Sequence, residues 1–389
     1  MSPAIYLDHN ATAPILPEVA DALREASLRY AANPGSQHEP GRQARRALED
    51  ARMRIGELLG ARREGMQADQ VVFTSGGTEA NNLALFGLTA DFAAVPGHVV
   101  VSVLEHPSIA ASAAALESRG WRVDRAPATR AGVVQPESIE SLLRPDTRLV
   151  SLMLASNETG LLQPVAEVAR VCSGRGIPLH TDAVQVVGKL PVDFAALGVA
   201  TLSCAAHKFH GPLGIGALIL RHDVRLRPLV YGGHQQAGLR PGTETVALAI
   251  GMCEALECWR READARAARM RKLRDQLEQR ILAEVPSVMI IGQHADRLPN
   301  TSNIAFPGLD RQALVMALDL AGVACSSGSA CASGSSEPSL ALVAMGLEKA
   351  LVDGSIRLSL GATTTALEID EAVSRILRVC QHLRRRANG

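Results

Sequence analysis

The sequence predicts an α/β protein: a large unit built on a mostly parallel mixed sheet with helices on both faces, joined to a smaller α+β unit. Three observations predict it. Short apolar runs at 71–74, 99–104, 149–154, 178–181, 201–204 and 216–220 have strand length, and amphipathic helical stretches such as 41–59 and 164–173 lie between them. A long charged helical stretch at 253–285 can link two units. A chain of 389 residues, 47% hydrophobic and 21% charged, can bury more than one core. Near its end, Thr365-Ala366-Leu367-Glu368 has the form of a capping box. Ile369, Val373, Ile376, Leu377 and Cys380 then share one helical face, which makes Cys380 a core thiol.

Forty basic residues balance forty acidic ones. No nucleic-acid or membrane-surface footprint is therefore expected. No apolar run reaches the roughly 20 residues that cross a bilayer, and the first residues lack the charged-then-apolar order of a secretory signal. The seven cysteines are odd in number and scattered. They suit a reducing, cytoplasmic setting with free thiols. Cys253 and Cys258 lack a matching His or Cys pair, so no metal site is expected.

Five segments carry candidate chemistry. At 74–82, Thr-Ser-Gly-Gly-Thr-Glu-Ala-Asn-Asn passes from a strand through two glycines into a helix starting near Thr78. Open amides at a helix start accept a phosphate, although the segment also reads as a plain strand-to-helix turn. At 180–185, His-Thr-Asp-Ala-Val-Gln places Asp182 at a buried strand end. There it needs a partner such as a protonated pyridine nitrogen, unless it only caps the next helix. In 206–216, Lys208 follows an apolar strand and precedes a Gly/Pro-rich turn. It reads either as a Schiff-base nucleophile or as an exposed strand-end lysine. At 326–336, Ser-Ser-Gly-Ser-Ala-Cys-Ala-Ser-Gly-Ser-Ser offers one cysteine, Cys331, in a stretch too polar for a core. It is either a reactive thiol or an incidental residue of a linker. Cys325, on an apolar run, is expected to be buried and inert. At 355–361, Arg357 sits inside an apolar strand and needs an anion: a substrate carboxylate or a structural acid.

In this order and spacing, the five segments resemble the NifS/IscS-type cysteine desulfurases of the class V aminotransferase family, in the long-loop subgroup. The likeness runs from Tyr6-Leu7-Asp8 to the C-terminal helix. It takes in Asn33-Pro34, Glu105-His106-Pro107-Ser108, Asn157-Glu158-Thr159-Gly160, Arg240-Pro241-Gly242-Thr243-Glu244 and Asn300-Thr301. The resemblance implies the aspartate aminotransferase-like fold of pyridoxal-phosphate-dependent transferases. It implies a large cofactor-binding domain over 16–255. Residues 1–15 and 256–389 would form the small domain that carries the catalytic cysteine.

The resemblance also implies roles. Lys208 binds pyridoxal 5'-phosphate covalently. Asp182 pairs with the pyridine nitrogen, and Gln185 with the phenolic oxygen. His106 stacks on the ring and moves protons. Asn157 lies near the phenolic oxygen and the substrate. Gly77, Thr78 and His207 hold the phosphate, helped by Thr243 from a second subunit of a homodimer. Asn33 and Arg357 grip the substrate carboxylate, and Cys331 takes the sulfur. The implied reaction converts L-cysteine to L-alanine and leaves a persulfide on Cys331. A protein acceptor then receives it for iron-sulfur cluster assembly, tRNA thiolation or another thio-cofactor. The rival readings are a selenocysteine lyase, another pyridoxal-phosphate activity, and a non-catalytic paralogue acting as a sulfur relay.

Some positions depart from the family pattern. Ala205 stands where a phosphate-binding serine is usual, with Ser203 on the same strand face as the candidate substitute. His9 and Ser156 stand for asparagine and Gly35 for serine. His234, Gln236 and Ala237 alter a Gly-Gln-Glu-Arg-like segment, and Ala362 replaces an arginine.

Overall fold

The computed structural model describes residues 4–92, 94–328 and 337–387. Apolar β-strands stack into a seven-stranded sheet in the order Gln70–Thr74, Gly216–Leu220, Thr201–Ala205, Leu179–Asp182, Thr147–Ser151, His98–Ser102, Arg122–Ala126. Gly216–Leu220 runs antiparallel to both its neighbours, and the other pairings are parallel. His98–Ser102 and Gly216–Leu220 are buried at every position. That is why they read as unbroken apolar runs and not as alternating ones.

Alternate side chains feed two layers. Val71, Phe73, Val100 and Val150 pack under helices Glu39–Leu58 and Val165–Ser173 through Ala44, Leu48, Ile55, Val168 and Cys172. Val72, Val99, Val101 and Leu149 pack on the opposite face under Gly77–Thr89 and Pro107–Glu117 through Leu83, Leu85, Ile109 and Leu116.

Two differences from the sequence expectation have physical causes. Arg122–Ala126 has no apolar signal because it is an edge strand with Arg122 and Arg125 exposed, and such charges discourage further pairing. The apolar runs at 99–104 and 149–154 outlast their strands, which end at Ser102 and Ser151. Leu104, Leu152 and Met153 are buried in the chain leaving the sheet. Their apolarity reports burial, not strand pairing.

The long helix spans Val246–Glu284 and so starts seven residues before the expected 253. Its uncharged first turns pack into the large core through Val246, Ala249, Met252 and Leu256. Further along, Leu273, Leu277 and Ile281 join a separate core with Ile5, Leu7, Phe306, Leu358 and Ile376. Around that core, Ser355–Ser359, Thr301–Ala305 and Met289–Ile290 form an antiparallel sheet, and Ile5–Tyr6 pairs in parallel with Val323–Ala324.

The last helix, Ala366–Ala387, opens with the expected capping box. The Glu368 amide donates to Thr365 Oγ1 at 3.2 Å, and the Thr365 amide donates to Glu368 Oε2 at 2.8 Å. Cys380 is a core thiol, and burial pushes it up to about 12. Cys325 is half-buried against the same core, and burial likewise pushes it up to about 12. Among the described residues, no helix is long and apolar enough to cross a membrane, and no group of three His, Cys, Asp or Glu side chains could hold a metal.

Candidate active site

In a sheet of parallel strands, the loops that leave the carboxyl ends meet on one edge. Here the segments after Thr74, Ser102, Ser151, Asp182 and Ala205 meet there and enclose a cavity of about 250 Å³. Gly77, Thr78, His106, Asn157, Asp182, Gln185, His207 and Lys208 all line it. The fold thus gathers eight of the twelve residues singled out from the sequence.

Lys208 closes a short 3₁₀ turn, Ala206–Lys208, directly after strand Thr201–Ala205. Its Nζ donates to the carbonyl oxygens of Asn10 at 2.8 Å and Ala11 at 2.7 Å. The chain's first residues therefore hold the amine at the cavity wall. Beside it, burial and the Lys208 charge push His207 down to about 4, so this imidazole is neutral at physiological pH.

Asp182 ends its strand and is 7% exposed. Oδ1 accepts from the Val184 amide at 2.9 Å, and Oδ2 accepts from Asn81 Nδ2 at 2.7 Å. These bonds compensate the carboxylate's loss of water. Glu105, just before His106, is buried, and burial together with the Asp182 charge pushes it up to about 8. Glu105 therefore keeps its proton at neutral pH.

Lys189 has no counterpart in the sequence reading, although a lysine within Val-Val-Gly-Lys-Leu-Pro is a signal: its charge would be costly there without partners. It is 5% exposed and donates to Gln185 Oε1 at 2.7 Å and Asn10 Oδ1 at 3.0 Å. Burial and the nearby Lys208 charge hold its amine well below the usual lysine range. The Gln185 carbonyl thus faces Lys189, and its amide nitrogen donates to the Asn10 carbonyl at 3.0 Å.

The cavity suits a phosphorylated aromatic aldehyde on an observation independent of motif. A side-chain carbon at Gly77 would sit 2.7 Å from Val184 Cγ2, so only glycine lets the backbone pass there. Helix Gly77–Thr89 opens at that point, with its unpaired amides at the mouth of the cavity. An anion-binding end, an amine and a buried carboxylate therefore share one enclosure.

Four expected residues do not line it. Asn33 is exposed, and its Oδ1 accepts from the Gly35 amide at 2.8 Å. Thr243 is exposed and stands away from the cavity of its own chain. Arg357 is 1% exposed and donates to Asp8 Oδ1 at 2.6 Å and to the Asn157 carbonyl at 3.0 Å. In this state its anion is Asp8, which is the structural-acid alternative; it touches the cavity only through the backbone of Asn157. Cys331 lies outside the described residues. Ser203 is fully buried and does not line the cavity, so it does not replace the hydroxyl missing at Ala205. Asn81, Ser108 and Glu105 lay in quoted motifs, but nothing in the sequence assigned them roles.

A family model described as aminotransferase class-V matches residues 5–372. The chain is 38% identical to the cysteine desulfurase IscS of Dictyoglomus turgidum, over 99% of this chain and 96% of that one. It is 40% identical to the cysteine desulfurase NifS of Azotobacter vinelandii, over 98% and 93%. Among solved structures, a NifS-like protein superposes with a TM-score of 0.90 at 32% identity, covering 98% of this chain and 100% of that one.

Proposed function

The chain belongs to the class V aminotransferase family, on its cysteine desulfurase branch, and from that membership we propose that it converts L-cysteine to L-alanine with pyridoxal 5'-phosphate and passes the sulfur on as a persulfide of Cys331. One observation carries the reading: Lys208, Asp182, His106 and the open helix end at Gly77 share one cavity. The cofactor, when bound, supplies an electron sink for the charge left at the substrate's α-carbon. Lys208 Nζ would hold the cofactor and, when free of it, would be the base placed to take the α-proton. Asp182, with its carboxylate fixed by Asn81 and Val184, would pair with the ring nitrogen. Gln185 would offer the phenolic oxygen its second amide N–H, since Lys189 occupies its carbonyl and the Asn10 carbonyl takes the other N–H. Gly77, Thr78 and His207 hold the phosphate, with Thr243 of a second copy completing the cup in a homodimer. Asn157 borders the substrate, and Asn33 and Arg357 would receive its carboxylate only after Asn33 releases the Gly35 amide and Arg357 releases Asp8. The Cys331 thiolate attacks the substrate sulfur, an S–S bond forms as C–S breaks, and the three-carbon fragment leaves as alanine.

In this reading, residues 16–255 form the cofactor-binding domain, and 1–15 with 256–389 form the domain bearing Cys331. The acceptor is a sulfur-carrying or scaffold protein in the cytoplasm. The test is borohydride reduction of the cofactor-loaded protein, then peptide mapping, then a mass measurement after brief exposure to cysteine. The label belongs on Lys208 and one added sulfur on the Cys331 peptide. Lys208→Ala should lose turnover by about three orders of magnitude or more, since both the covalent site and the base are gone. A label on another lysine, or normal alanine release by Cys331→Ser, overturns the reading.

A further inference from the structure

His106 lines the cavity and also caps helix Pro107–Glu117. As the N-cap, its Nδ1 accepts from the backbone amide of Ser108 at 3.1 Å. A backbone amide nitrogen has a proton to give and no lone pair to offer. That contact favours a lone pair on Nδ1, and at 3.1 Å it is the longer of two contacts that Ser108 makes with this nitrogen. The Ser108 hydroxyl lies 2.8 Å from the same nitrogen. Asn81 Nδ2 donates to that hydroxyl oxygen at 2.9 Å and also to Asp182 Oδ2 at 2.7 Å. With its oxygen accepting from Asn81, the hydroxyl has its proton free to point at Nδ1.

Asn81 cannot turn over. Its Oδ1 lies 3.1 Å from His180 Nε2, and His180 Nδ1 lies 2.8 Å from Thr201 Oγ1. Flipping the amide would aim a carbonyl oxygen at the Asp182 carboxylate. Asn81 is 1% exposed and His180 fully buried, so water cannot make good the loss. The direction of every donor from His180 to His106 is thus set by the anion at Asp182.

We propose that Ser108, oriented by Asn81, is a positioning residue that closes Nδ1 of His106 and fixes the ring as its Nε2–H tautomer. The ring's proton then sits on Nε2, at the opposite edge of the imidazole. In this chain His106 serves as a hydrogen-bond donor at Nε2 and does not pass protons through both nitrogens. The sequence expectation of a ring that moves protons is narrowed accordingly. The inference rests on the proposed desulfurase reading for its use, not for its geometry.

The experiment is long-range proton–nitrogen NMR of the cofactor-loaded protein labelled with ¹⁵N-histidine, with a His106→Gln sample to assign the signal. The wild type should show a pyridine-like Nδ1 and a pyrrole-like Nε2. Ser108→Ala should lose one of the two donors, broaden or shift that pattern, and lower kcat about tenfold with KM within about twofold. That is a barrier change of about 1.4 kcal/mol. Ser108→Thr, which keeps the hydroxyl, should restore both. A protonated Nδ1 in the wild type, or an unchanged nitrogen pattern in Ser108→Ala, overturns the proposal. If the wild type fails to release alanine from cysteine, the functional reading falls, while the tautomer signal still decides this one.

Discussion

The sheet has a cavity at each end, and the larger one is not the candidate site. At the amino ends of the parallel strands lies an opening of about 570 Å³, bordered by Asp91, Arg148, Arg221, Asp223 and Arg225. At the carboxyl ends lies the enclosure of about 250 Å³ around Lys208 and Asp182. Both are polar, and they differ in what their charges face. Arg221 pairs with Asp223, and Arg227 pairs with Asp91, each at 2.6 Å and in contact with water. Such exposed pairs contribute roughly 0–1 kcal/mol and orient nothing. At the other end, Asp182 and Asn81 bond to each other, as do Gln185 and Lys189, and all four are nearly sealed from water. Size follows from how the loops splay; chemistry follows from polar groups whose partners are protein and not water.

The contrast can be broken first through Glu105. Burial and the Asp182 charge push its folded-state carboxyl up to about 8, from an ordinary value of 4.5. Between those values the native state holds a proton that the unfolded chain releases. Native stability therefore falls as pH rises from about 4.5 to about 8, with a slope of up to about 1.4 kcal/mol per pH unit. Glu105→Gln keeps the carbonyl that accepts from the Met153 amide at 2.9 Å and cannot ionise. Urea unfolding at pH 5 and pH 8 should show the decline flattened by roughly 3–5 kcal/mol. Asp223→Asn, at the exposed end, should move the same difference by less than about 1 kcal/mol. Equal slopes for Glu105→Gln and wild type would mean that the carboxyl is not sealed in solution.

A smaller effect sharpens the contrast at Ala205. Its methyl borders the cavity beside Gly77, and a carbon built at 77 would lie 3.6 Å from it. Ser203 sits too deep to substitute. Ala205→Ser should therefore tighten pyridoxal phosphate by about 10- to 100-fold, the equivalent of one charged hydrogen bond of roughly 1.5–3 kcal/mol. Equilibrium titration of the apoprotein reads this directly, and an unchanged Kd would show that the cup is already saturated with donors.

The sequence made most of the large sheet legible, because its central strands are buried on both faces and read as continuous apolar runs. It hid Arg122–Ala126, whose charges belong to an edge. It made legible the residues whose chemistry is rare in their setting: a lysine at a strand end, an aspartate in a core, an arginine in an apolar strand. It could not show that Arg357 reaches Asp8, 349 positions away, or that Asn10 links Lys189, Gln185 and Lys208. Such partners are set by how the first residues return across the chain, and no local pattern encodes that return. The tautomer of His106 is a similar case. Ser108 is two residues away, but its role depends on Asn81 of helix Gly77–Thr89 and Asp182 at the end of strand Leu179–Asp182.

The smallest expected effect tests the far end directly. Arg148 lies 4.7 Å over the ring of Phe92 at the rim of the large cavity. Such a stack contributes about 0.5–1 kcal/mol where water has access. The Nε of Arg148 is buried and has no hydrogen-bond partner among the described residues, which subtracts from the gain. Arg148→Ala should therefore lower stability by no more than about 0.5–1 kcal/mol, a loss readable in the midpoint of urea unfolding. Alanine release from cysteine should stay within about twofold of wild type, because no bond connects this rim to the network around Asp182 among the described residues. A drop in turnover beyond tenfold, with the unfolding midpoint preserved, would mean that the two ends of the sheet are coupled and that the larger cavity takes part in the reaction after all.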